Sequence, residues 1–177
     1  VQPPSQPDVR SHAFYVLDES DATVLAARHE HVAVPIASIT KLMTALVVLE
    51  AGQPMDEMLA ITADDVRGTP GSHSRLAPGA RLSREDLLRL ALMSSENRAT
   101  ASLAHHYPGG VPAFVAAMNA KARALGMHHS RFVEPTGLSQ DNLSSANDLV
   151  KLLKASQQYP LIGQFSTTGE KTAYFRK

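Results

Sequence analysis

The chain has 177 residues, 44% of them hydrophobic and 19% charged, which suffices to bury a core and fits one domain or most of a larger one. Its 17 basic and 17 acidic residues cancel to a formal net charge of zero, which argues against nucleic acid or an anionic membrane recognised through bulk charge. Cysteine is absent, so disulfides and thiolate metal sites are excluded, and no apolar run is long enough to span a bilayer.

Val1-Gln2-Pro3-Pro4-Ser5-Gln6-Pro7 reads as a flexible leader, remaining after removal of a signal peptide or an added segment, so residues 1–10 are set apart from a single domain over 11–177. Apolar-rich runs from His12 to Asp18 and from Thr23 to Arg28, joined by Glu19-Ser20-Asp21-Ala22, predict a β-hairpin. After a turn at Pro35, the run Leu42-Met43-Thr44-Ala45-Leu46-Val47-Val48-Leu49 predicts a buried helix from Ser38 to about Glu50, closed by Gly52. Residues 53–82, broken by Pro54, Gly68, Pro70, Gly71, Pro78 and Gly79, read as loops with short strands. Ser83 as N-cap with Asp86 in the capping-box position opens a helix to Met93. The polar stretch Ser94-Ser95-Glu96-Asn97 separates it from a short helix over Arg98 to about His106. Pro112 and Gly126 bracket a further helix carrying Phe114, Val115, Met118 and Leu125. Ser145 to Asp148 forms another capping box, for a helix that stops before Pro160, after which the chain reads as polar and strand-like.

The chemistry concentrates at Ser38-Ile39-Thr40-Lys41, where a hydroxyl and an amine three residues apart share one face at the mouth of the buried helix. A helix N-terminus stabilises an alkoxide or oxyanion near Ser38, and the same dipole together with burial lowers the pKa of Lys41 towards that of a usable base. The same four residues also admit Ser38 as a plain N-cap with Lys41 solvated in the first turn. Against this second reading, a first turn prefers acids to lysine.

Three segments carry a more specific pattern: Pro35-Ile36-Ala37-Ser38-Ile39-Thr40-Lys41-Leu42-Met43-Thr44, Leu92-Met93-Ser94-Ser95-Glu96-Asn97-Arg98-Ala99, and Arg131-Phe132-Val133-Glu134-Pro135-Thr136-Gly137-Leu138-Ser139. Together they resemble the serine-x-x-lysine and serine-x-asparagine motifs of penicillin-binding proteins and serine β-lactamases, and within these the low-molecular-mass D-alanyl-D-alanine peptidases. The Ser-Ser-Glu-Asn-Arg stretch is similar to the D,D-endopeptidase branch, the penicillin-binding protein 7 type. This resemblance runs from about Ser11 to the end of the chain.

The resemblance implies an α/β (α+β) fold of the β-lactamase type, an antiparallel sheet with a helical cluster and the Ser38 helix at their junction. It implies Ser38 as acyl-enzyme nucleophile, Lys41 as its base, Ser95 as the residue that passes a proton to the departing amino group, and Asn97 as the holder of the substrate's backbone amide. The backbone N–H of Ser38 would supply half of an oxyanion hole. The implied partners are peptidoglycan stem peptides and β-lactam antibiotics, the implied location is the periplasm, and no cofactor is called for. A D,D-carboxypeptidase shares every motif. A β-lactamase is disfavoured because no Glu-x-x-x-Asn loop follows the second motif.

The chain departs from the family at the third motif, lysine-threonine-glycine. Gly169-Glu170-Lys171-Thr172-Ala173 has alanine where glycine is required. The expectation is therefore an N-terminal portion of the fold, completed by a C-terminal fragment or a second copy covering the sheet edge. That gap also keeps open a non-catalytic muropeptide-binding or scaffold subunit. His105-His106 and His128-His129 read as solvated helix-end residues rather than metal ligands, and Asp64-Asp65 and Asp141-Asn142 as ordinary turns. Glu96 reads equally as a substrate contact or an exposed turn carboxylate, and Glu134-Pro135-Thr136-Gly137-Leu138 as a turn shaping the cleft rim.

Overall fold

The computed structural model describes residues 10–167 apart from Glu19 and Asp21. Residues 1–9 of the predicted leader, part of the predicted hairpin turn and the stretch 169–173 lie outside the described residues.

The hairpin is present: β1 (Phe14–Leu17) pairs antiparallel with β2 (Val24–Arg28), Phe14 opposite Arg28, with a register shift between Val16 and Leu17. Two further antiparallel pairs form, β3 (Val34–Pro35) with β6 (Leu143–Ser144) and β4 (Met58–Ala60) with β5 (Arg81–Ser83). Antiparallel strands beside a helical cluster are the expected class. Among the described residues, however, the strands form three separate two-stranded sheets rather than one continuous sheet.

Helix α1 (Thr40–Glu50) is the axis of the cluster, reached through a 3-10 turn over Ala37–Ile39. Met43, Ala45 and Leu46 are fully buried, and Val47 and Val48 nearly so, which is what a run apolar nearly all round must do. Against α1 pack α3 (Arg84–Met93), α4 (Asn97–His105), α5 (Gly110–Ala124) and α6 (Ala146–Gln157). Their contributions to the core include Leu87, Leu88, Leu103, Phe114, Met118 and Leu152. The Ser83 and Ser145 hydroxyls cap α3 and α6, accepting from the Asp86 and Asp148 N–H groups. The reciprocal half is made in neither of these two expected capping boxes. Asp148 instead accepts from the His129 N–H at 2.8 Å and from the Ser130 hydroxyl at 2.8 Å, tying the end of α5 to α6.

Two helices depart from the expectation. Within the predicted loops, α2 (Ala63–Arg67) forms because Thr62 and Asp65 make a complete capping box, and five residues are too few to display a helical period. Pro160 does not end the helical region but opens α7 (Pro160–Thr167), where proline's fixed φ suits a first position. Ile162 and Phe165, three apart, are buried as α7 packs on α3 and α6, and this tertiary contact outweighs the polar character of the local sequence.

The pairing of β3 with β6 matters most for the site. It draws the segment before α6 alongside the turn that carries Ser38.

Candidate active site

Ser38 sits in the 3-10 turn immediately before α1, and its hydroxyl is exposed; Lys41, the second residue of α1, is only 3% exposed. The plain capping reading fails on both counts. No side chain caps this helix start, and Lys41 is buried rather than solvated. The Ser38 Oγ instead accepts from the Lys41 Nζ at 3.4 Å and from the Ser95 Oγ at 2.8 Å.

Lys41 has two tighter partners, each at 2.8 Å: the Asn97 Oδ1 and the Thr136 carbonyl. All four residues singled out from the sequence, Ser38, Lys41, Ser95 and Asn97, thus converge on one point although up to 59 positions separate them. Burial pushes the Lys41 ammonium down from its ordinary 10.5 to about 8, against the negative charges of Glu134 and Glu96, which favour the protonated form. The arrangement is a buried amine, far easier to deprotonate than an ordinary lysine, beneath two exposed hydroxyls in mutual contact. Chemically it can take a proton from one hydroxyl and return it through the other.

Backbone strain accompanies this geometry. Ala37 and Ser95 have φ of 46° and 50°, a region that side-chain-bearing residues seldom adopt. One strained residue precedes the first hydroxyl and the other bears the second, so the strain aims both groups. Glu96 is the N-cap of α4, its carboxylate accepting from the Ala99 N–H at 2.6 Å, so it has a structural part as a cap.

The segment 131–145 does far more than shape a rim. Three consecutive contacts lock it to one face of α1: the Asn142 Nδ2 donates to the Thr40 Oγ1 at 3.2 Å, Lys41 donates to the Thr136 carbonyl, and the Thr44 hydroxyl donates to the Pro135 carbonyl at 2.7 Å. Asn142, expected in an ordinary turn, is fully buried. Its Oδ1 accepts from the Val133 N–H at 2.8 Å, its Nδ2 donates to the Glu134 carbonyl at 2.9 Å, and its own carbonyl accepts from the Ile36 N–H at 3.2 Å. Gly137 lies so near the turn that carries Ser38 that a Cβ there would fall 1.9 Å from the Ala37 carbonyl oxygen, and its φ of 91° demands glycine as well.

Sequence reasoning missed Thr40, Thr44, Thr136 and Asn142 as parts of the site. The one signal available was the pair of threonines flanking Lys41 in an otherwise apolar run, since a buried hydroxyl needs a partner. The histidine pairs do not meet at a metal site. His105 faces Asp65 at 3.6 Å and the His106 Nδ1 lies 2.9 Å from the Ser102 carbonyl, so this pair is half-buried rather than solvated. Among the described residues no group of three or more possible ligands gathers.

Comparison with known proteins agrees with this geometry. The profile of the D-alanyl-D-alanine carboxypeptidase family matches residues 1–177. The chain is 56% identical over 171 residues to a D-alanyl-D-alanine endopeptidase of Escherichia coli, covering 97% of this chain and 55% of that protein. It is 56% identical over 173 residues to a D-alanyl-D-alanine endopeptidase of Pseudomonas aeruginosa, covering 98% of this chain and 56% of that one. Among solved structures, a D-alanyl-D-alanine carboxypeptidase from Mycobacterium tuberculosis superposes with a TM-score of 0.83 at 32% identity, covering 95% of this chain and 65% of the other. The chain therefore spans little more than half the length of the curated relatives it matches.

Proposed function

The chain belongs to the D-alanyl-D-alanine carboxypeptidase family, and from that premise we propose that it is the part of a serine D,D-endopeptidase that carries the nucleophile, cutting D-alanyl cross-links in peptidoglycan. One observation carries the reading: the exposed Ser38 hydroxyl contacts both a buried lysine whose pKa is lowered to about 8 and a second hydroxyl, that of Ser95.

In this reading neutral Lys41 takes the Ser38 proton as the Oγ attacks the D-alanyl carbonyl carbon. The Oγ–C bond forms and the carbonyl π pair moves to oxygen, where the Ser38 N–H at the start of the 3-10 turn helps to receive it. The proton on Lys41 then passes through Ser95 to the departing amino nitrogen as the C–N bond breaks. Water hydrolyses the acyl-enzyme. Asn97 binds the Lys41 ammonium through its Oδ1 at 2.8 Å and leaves its amide N–H groups for the substrate's backbone. A β-lactam mimicking the peptide acylates the same Ser38.

The endopeptidase activity is preferred to carboxypeptidase because the two relatives at 56% identity bear that name, whereas the relatives named carboxypeptidases are 29% to 34% identical. A peptidoglycan substrate supports a periplasmic location. No described helix is long and apolar enough to cross a membrane.

The test is penicillin treatment of the intact protein followed by mass spectrometry of the digest. A penicilloyl adduct on Ser38 that disappears in Ser38→Ala is expected, whereas an adduct on Ser95, or one that persists in Ser38→Ala, overturns the assignment. Incubation with a cross-linked muropeptide dimer and with a pentapeptide monomer then separates the two peptidase activities by product mass.

A further inference from the structure

Glu134 has no role in the chemistry just described, yet no side chain near the site is more heavily engaged. Its Oε2 accepts from the Thr136 N–H and from the Thr136 hydroxyl, each at 2.6 Å. Its Oε1 accepts from the Gly137 N–H at 2.6 Å, the Ser139 N–H at 3.3 Å and the Asn142 Nδ2 at 3.0 Å. The turn over 134–139 is thus wound around one carboxylate rather than held by a regular backbone ladder. That turn presents the Thr136 carbonyl, one of the two closest partners of the Lys41 amine. It also carries Gly137 into contact with the Ala37 carbonyl beside Ser38.

All the hydrogen-bond partners of Glu134 are neutral, and the cation on which its charge acts is Lys41. The charged groups bearing on Lys41 are Glu134 from this turn and Glu96 from the start of α4; the other groups in contact with the amine, Ser38, Asn97 and the Thr136 carbonyl, are neutral. Because Glu96 is engaged in capping α4, Glu134 is the carboxylate that both shapes the amine's seat and biases its protonation.

We propose that Glu134 is the positioning residue of the lysine base: its carboxylate winds the turn that fixes the Thr136 carbonyl, and through that carbonyl it sets where the Lys41 amine sits, while its own negative charge bears on that amine. The inference rests on Lys41 acting as the base in the D,D-peptidase reading. Glu134 touches neither Ser38 nor the reacting atoms. It acts through Lys41.

Glu134→Gln and Glu134→Asp in the intact protein separate the two contributions. Gln keeps one acceptor oxygen but turns an amide NH₂ towards the Thr136 N–H and removes the charge. Asp keeps the charge but is one methylene too short to span the turn. Two quantities are read for each: the rate of acylation by fluorescent penicillin against pH, and the titration midpoint of Lys41 from the NMR signals of ¹³C-labelled lysine, assigned with Lys41→Arg. In E134Q the midpoint should fall by roughly half a unit or more, since an attractive charge is lost, and the acylation rate at its plateau should fall at least about tenfold, as expected when a base is misplaced. In E134D the midpoint should stay while the rate falls similarly. An E134Q midpoint equal to the wild type's overturns the proposal, and so does wild-type acylation by either variant. If E134Q fails to fold by circular dichroism, E134D carries the test: an unmoved midpoint with a lowered rate supports the proposal, and a moved midpoint or an unchanged rate overturns it. If the wild type is not acylated at all, the D,D-peptidase reading fails, while the NMR midpoints still decide whether Glu134 governs Lys41.

Discussion

Lys41 is gripped from two sides that could hardly differ more. The helical side, α1 with α3, α4, α5 and α6, is dry and apolar, and it fixes the lysine's backbone by packing of fully buried side chains such as Met43, Leu46, Leu88 and Phe114. The opposite side, the segment 131–145, has almost no regular structure beyond the short strand β6 and fixes the amine by hydrogen bonds radiating from Glu134 and Asn142. Packing is graded, because a lost methylene costs only its share of contact and a partly relaxed cavity. A satisfied polar network is closer to all-or-none, because each partner removed strands another in a low-dielectric setting. The helical side therefore sets stability, and the loop side sets chemistry.

The largest effect is expected where the two sides meet. Lys41→Arg keeps a positive charge but cannot surrender its proton, so acylation by penicillin should fall on the order of 10²-fold or more, measured by stopped-time labelling. Near wild-type labelling would break the comparison at its centre, because neither grip would then matter. Leu46→Ala, in the helical side, should cost about 2–5 kcal/mol in denaturant unfolding and leave the pH midpoint of acylation where it was. A moved midpoint would mean that the helical packing also tunes the amine.

Asn142→Ala tests the loop side. It strands the Val133 N–H and the Glu134 carbonyl, and about 1–3 kcal/mol of stability should go with them. Unlike Leu46→Ala, it should lower acylation even at temperatures where the fold is intact. Next in size is pH itself. Lys41 is protonated below about 8 in the folded protein, and protonation removes the base, so wild-type acylation should fall about tenfold for each unit below that value and level off above it. A rate that stays flat down to pH 6 would point to a different base. Smallest, and placed away from both sides, Ser83→Ala removes the cap of α3 and should cost about 1 kcal/mol without touching acylation.

The two sides were also unequally legible in the sequence. α1 is announced by its apolar run, and Ser83 and Ser145 announce the starts of α3 and α6 through chemistry that acts within four residues. Ser38, Lys41, Ser95 and Asn97 were readable as two spaced motifs, and the fold brings them within hydrogen-bond reach of one another. The loop side left no comparable mark. Thr136 serves through its main-chain carbonyl, which every residue possesses, and Asn142 in sequence is one more asparagine among turn formers. Its burial follows from the β3–β6 pairing, a contact more than a hundred residues apart that no local pattern encodes. α7 was missed for the same reason, since its burial depends on surfaces contributed by α3 and α6.

The left-handed backbone at Ala37 and Ser95 makes the two positions unequal handles for engineering. Each holds a conformation that costs a side-chain-bearing residue about 1–2 kcal/mol and glycine almost nothing. A selection for heat resistance alone would favour glycine at both. At 37 the exchange relaxes the chain and removes only a methyl group next to Ser38. At 95 the same relaxation deletes the hydroxyl that touches Ser38. Thermal screening of this protein would therefore enrich two kinds of survivor that look alike on a melting curve, and only one of them would keep the paired hydroxyls of Ser38 and Ser95.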